Sequence, residues 1–81
     1  PFNPETTIRF DLPRSEEIGL ALYNLTGQTV ATLAQGHRDA GTYALRWDGR
    51  DDAGRELASS VYLYRLTAGD RVETRKLLLL R

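Results

Sequence analysis

Four acids crowd one short stretch, "DGRDDAGRE" over residues 48–56: Asp48, Asp51, Asp52 and Glu56. Hard cations such as calcium take several oxygen ligands from a loop of this kind, so Asp48, Asp51 and Asp52 are the first ligands to consider. The spacing is not that of the twelve-residue calcium loop. Arg50 falls where an acid is wanted and Ala53 where the glycine is wanted. Arg50 and Arg55 also put positive charge inside the stretch. A second chemistry fits the same residues: Asp side chains hydrogen-bond nearby backbone N–H groups while Gly49 and Gly54 turn the chain. That reading is preferred, and no metal or other cofactor is expected.

The other reactive side chains are sparse. His37 is the single histidine, in "AQGHRDAG", and the chain has no cysteine, so no thiolate or second imidazole can join it in a metal site. It reads as an exposed loop residue. Ser15, Ser59 and Ser60 have no base nearby in sequence, and nucleophilic catalysis needs both an arranged base and an oxyanion site. No enzyme is expected. Trp47, Tyr43, Tyr62 and Tyr64 offer two chemistries, an aromatic platform for sugars or the large side chains a small core needs; core is favoured.

The elements around these residues alternate with period two. Ile8, Phe10 and Leu12 fall on one face of "TTIRFDLP", and Ile18, Leu20 and Leu22 on one face of "EIGLALYN". "NLTG" turns at Gly27. "QTVATLAQ" follows as a third strand carrying Val30 and Leu33, then "TYALRWD" with Tyr43, Leu45 and Trp47 inward. "VYLYRLTA" is apolar on both faces, which predicts a central strand covered on two sides. "AGDRV" turns at Gly69 and Asp70 into the last strand, "RVETRKLLLLR". A seventh strand is allowed at "ELA", residues 56–58. The expected fold is all-β: an antiparallel immunoglobulin-like sandwich of six to seven strands in a single domain over residues 1–81.

Eleven acidic and eleven basic residues leave no net charge, which argues against a nucleic-acid footprint. The longest apolar run is residues 77–80, far short of a membrane span. The opening "PFNP", without an initiator Met, reads as a piece cut from a longer protein.

The ordered set of motifs resembles known families. "PFNPETTIRFDLP", "YNLTGQTVATL" with Leu25, Gly27 and Val30, "AGTYALRWDGRDDAG", "ASSVYLYRL" and "TRKLLLLR" together resemble the C-terminal sorting domains of type IX secretion cargo. They resemble equally the immunoglobulin-like family named after the flagellar hook-capping protein. Ser60 stands where these families often carry glycine. The resemblance implies a non-catalytic address. On that reading the domain follows an upstream cargo domain in the same chain, is read by outer-membrane secretion and attachment machinery, and ends secreted at the cell surface. The partner-recognition residues would then be Lys76, Leu77, Leu78, Leu79, Leu80 and Arg81. Trp47, Gly27, Gly49, Gly54, Tyr62 and Tyr64 would be structural. The alternative expectation is a structural spacer or a carbohydrate-binding sandwich module of a secreted hydrolase.

Overall fold

The computed structural model describes residues 6–80. Arg81 and the opening "PFNP" therefore lie outside the described residues. Six strands follow in order: β1 (Thr6–Leu12), β2 (Glu16–Tyr23), β3 (Thr29–Arg38), β4 (Gly41–Trp47), β5 (Ser60–Ala68) and β6 (Arg71–Leu79). β1 and β4 form a two-stranded sheet, and the other four form a sheet in the order β3-β2-β5-β6. Every pairing is antiparallel. The expected immunoglobulin-like sandwich is what the chain forms, with six strands among the described residues.

The seventh is missing for a physical reason. Glu56 makes one isolated bridge to Arg50, so "ELA" closes a loop instead of lengthening a sheet.

Alternation puts one row of each strand between the sheets. Ile8, Phe10 and Leu12 of β1 meet Ile18, Leu20 and Leu22 of β2, with Tyr62, Leu66, Ala68, Leu77 and Leu79 from β5 and β6. Ile8, Leu20, Leu22 and Leu79 are almost wholly enclosed. Each such side chain contributes about 1.5–3 kcal/mol relative to exposure. Phe10 stacks on Tyr43 at 5.1 Å, which joins β1 to β4 through their side chains as well as their ladder.

β3 breaks the alternation. Ala31 and Ala34 are its buried residues, whereas Val30 and Leu33 are only partly covered. The register with β2 shifts twice: Leu20 faces Ala34 but Ala21 faces Thr32, and Leu22 faces Ala31 but Tyr23 faces Thr29. Leu33 and Val30 are thus the extra residues of two bulges, and each bulge resets the phase. The same strand runs on to Arg38, so His37 is a strand residue opposite Glu17 and not a loop residue.

β5 is central within its sheet, between β2 and β6, but no third layer covers its second face. Val61 and Leu63 are accordingly half-buried. The turn from β5 to β6 has positive φ at Gly69 and at no non-glycine residue, the sign pattern of a type II′ turn. Ser60 adopts no positive φ either, so a serine is unstrained at this position.

In β6 the apolar run is sorted by pleat: Leu77 and Leu79 are buried, while Leu78 and Leu80 are 52% and 39% exposed. A one-sided strand hides two of the four leucines. Its first half turns Arg71, Glu73 and Arg75 toward the core side, opposite Ala68, Leu66 and Tyr64. There the sandwich opens at its rim. Arg71 and Arg75 pair with Glu73, and Arg71 also donates to the Asp11 carbonyl oxygen of β1 at 3.1 Å, tying the edges of the two sheets.

Candidate functional site

The acid-rich stretch joins β4 of one sheet to β5 of the other. Trp47 ends β4 and is 4% exposed, with its ring edge-on to Tyr62 at 6.1 Å. Its indole N–H donates to the Arg50 carbonyl oxygen at 2.9 Å, so the loop folds back over its own anchor. The Leu57 N–H donates to the Gly49 carbonyl and closes the far end. Gly49 and Gly54 carry φ of 78° and 84°, a region that costs other residues steric strain.

Each carboxylate has a task within this frame. Asp48 accepts from the Arg50 N–H at 3.1 Å and forms a looser ion pair with the Arg50 side chain. Arg50 also reaches the Gly54 carbonyl and Glu56. Asp51 accepts from the N–H groups of Ala53 and Arg55 and from the Arg55 guanidinium, all at about 3 Å. The Arg55 N–H above all holds the Asp51 carboxyl below its ordinary pKa. Desolvation opposes it, and the Arg55 charge, the Arg55 side chain and the Ala53 N–H add to it.

Asp52 reaches outward. Both its carboxylate oxygens accept the Thr32 N–H, at 3.0 and 3.2 Å, while its own N–H donates to the Val30 carbonyl at 3.2 Å. Val30 and Thr32 present those groups on the outer edge of β3. One residue of the loop therefore caps the edge strand on both sides of Ala31. An uncovered edge is a template for pairing with other chains, and covering it by a loop is one remedy. A cation at Asp48, Asp51 and Asp52 would have to replace these hydrogen bonds. Among the described residues no group of three or more His, Asp or Glu side chains converges to hold a metal.

Of the other candidate residues, His37 and Ser15 both lie at the Asp39 carboxylate. His37 lies 3.6 Å from the Asp39 carboxylate, with both side chains exposed. The Ser15 hydroxyl meets the same Asp39 oxygen at 3.5 Å, a long contact between exposed groups, and the Ser60 hydroxyl bonds the Val61 carbonyl. Trp47 and Tyr62 are buried, and Tyr43 and Tyr64 pack against the core. The Tyr43 and Tyr62 hydroxyls bond the carbonyls of Asp39 and Ala58. The four aromatic residues thus fill the sandwich and present no platform. Gly27 turns the β2–β3 link with φ 88°, and its N–H donates to the Asn24 carbonyl. At the terminus, Lys76 is exposed and Leu77 and Leu79 are enclosed, so the described residues 76–80 do not share one surface. Tyr23 and Arg65 were not legible as a pair in the sequence. They meet only through the register of β2 with β5, the Arg65 guanidinium lying 5.0 Å from the Tyr23 ring centre.

Fold and loop together define an immunoglobulin-like β-sandwich whose acidic loop belongs to its own framework. Residues 3–71 match the FlgD Ig-like domain family, and the chain belongs to that family. It is a family of a structural, non-enzymatic kind. FLGD from P. aeruginosa has a solved structure that superimposes with a TM-score of 0.71 at 23% identity, over 91% of this chain and 57% of that one. This chain thus spans a little over half the length of that protein. No curated protein matches.

The family match corrects the type IX expectation. Sorting, export and surface attachment were implied by the ordered motif set from the opening segment to "TRKLLLLR", which includes Trp47, the Asp-Gly turn and the aromatic strand after it. These are folding residues: Trp47 and Tyr62 fill the core, and Asp48 to Gly54 close the loop. Residues that serve the sandwich do not by themselves mark an address.

Proposed function

We propose that this chain is a non-catalytic structural module, a rigid sandwich that spaces or supports neighbouring parts of a larger protein. One observation supports the reading above the others. The loop nominated for chemistry spends its carboxylates on backbone N–H groups, arginines and the edge of β3. Membership of the FlgD Ig-like family supports it as well. A work place outside the cytoplasm, on a secreted parent protein, belongs to the same proposal. The test is an exchange in the protein that carries this segment. An unrelated β-sandwich of similar length, placed at residues 1–81, should leave the activity of the neighbouring domains at its normal level. A folded, fully expressed exchange that loses that activity would sink the spacer reading.

A further inference from the structure

The outer face of the four-stranded sheet carries a groove of about 310 Å³ that the core does not use. Its floor is made of small residues. The register places Gly19 between Gln35 and Thr67, and Ala21 between Thr32 and Arg65. Flanking side chains stand higher than this floor, which leaves a trough along β2. The floor is held low: a Cβ on Gly19 would meet the Thr67 hydroxyl oxygen at 3.0 Å, and that hydroxyl donates to the Gly19 carbonyl. Tyr23 closes one end, with Arg65 over its ring at 5.0 Å.

Arg65 is the charged residue that lines the groove, and the Asp52 carboxylate lies against the backbone of its Thr32 wall. No Asp or Glu lines it. Arg14, Arg50, Arg55, Arg71 and Arg75 each lie against a carboxylate, whereas the contact made by Arg65 is the Tyr23 ring. A guanidinium beside an aromatic ring keeps its donor fork free for a planar carboxylate. Hydroxyls and one amide, from Thr29, Thr32, Thr67 and Gln35, make up much of the remaining wall. Such groups both donate and accept, as sugar hydroxyls require. The volume is at the lower end of the range for small-ligand sites, about 300–1,000 Å³.

We propose that this groove binds a uronate residue of an acidic polysaccharide. The carboxylate sits on Arg65, the sugar ring lies over Gly19 and Ala21 beside Tyr23, and its hydroxyls meet Thr32, Gln35 and Thr67. This surface is distinct from the buried row of Trp47, Tyr43, Tyr62 and Tyr64. It also goes beyond a spacer role, because a spacer needs no ligand.

Amide chemical-shift titration of the 81-residue chain at low salt tests it. The probes are trigalacturonate, the neutral galactotriose and pentaglutamate. Trigalacturonate should give saturable shifts centred on Gly19, Ala21, Tyr23, Gln35 and Arg65, with galactotriose at least about tenfold weaker. Arg65→Gln should weaken trigalacturonate roughly ten- to hundredfold, the worth of a hydrogen bond to a charged group, while the rest of the spectrum stays in place. Ala21→Leu, which fills the trough, should abolish binding with little change in melting temperature. The proposal is overturned if trigalacturonate gives no saturable shifts or shifts centred elsewhere, or if galactotriose binds equally. It is overturned too if Arg65→Gln binds normally. Pentaglutamate binding as tightly as trigalacturonate would make the groove a peptide-carboxylate surface and end the sugar assignment.

Discussion

Replacing Asp52 with alanine should uncap β3 without touching the core. The change removes both acceptors of the Thr32 N–H and keeps the backbone bond from residue 52 to Val30. A hydrogen bond to a charged acceptor contributes about 1.5–3 kcal/mol where water is excluded. Asp52 is exposed, so water competes, and the expected loss is about 1 kcal/mol. For a domain of this size that lowers the melting temperature by about 4–8 °C. The local effect is sharper. Hydrogen exchange at the Thr32 amide should quicken at least about fivefold, the equivalent of that free energy. Exchange at Leu20 and Leu66, deep in the central strands, should follow only the global loss. Asp52→Asn keeps one acceptor oxygen and should fall between the two. If Thr32 exchange and the melting temperature are both unchanged in Asp52→Ala, the capping role is refuted.

Other outcomes follow from the same contacts. The Asp51 carboxyl is held below its ordinary pKa, so its contribution to stability is present above the unfolded value of about 4 and is lost as pH falls through the lower folded value. Acid titration of stability should therefore show a downward slope below about pH 4 that Asp51→Asn flattens. Trp47→Phe should cost about 1–2 kcal/mol in denaturant melts, because the part-buried hydrogen bond to the Arg50 carbonyl is lost while most of the packing survives. Leu79→Ala should cost about 2–5 kcal/mol, and Leu78→Ala less than about 1 kcal/mol, measured by urea unfolding. Equal costs would mean that the pleat of β6 is misassigned.

Much of the sandwich was legible in the sequence because alternation in β1, β2 and β4 runs unbroken, and period two assigns a face directly. β3 carries Val30 and Leu33 as expected, but its two bulges were not legible because a bulge adds a residue that no local pattern announces. The last strand was ambiguous for a similar reason. Four consecutive leucines carry no period, and only the pairing of Tyr62 with Leu77 and Ser60 with Leu79 decides which go inward. The Asp–Gly turn was legible as a turn, since Asp and Gly chemistry is local. Its partner was not, because Asp52 and Thr32 lie twenty positions apart and meet only across the gap between sheets. Function was misread because the motif set resembles two families equally, and the residues that carry it serve the sandwich. The groove at Tyr23 and Arg65 escaped notice because its members are far apart in the chain and each is ordinary alone.

Melting temperature in calcium against chelator tests the central claim most directly, that the loop after Trp47 is complete without a ligand. A cation bound at a hundred times its dissociation constant would add about 2.7 kcal/mol, or about 10–20 °C in a domain of this size. The two melts should coincide within about a degree. A rise of 10 °C or more with calcium, abolished in Asp51→Asn and Asp52→Asn, would contradict the account and make the loop a metal site.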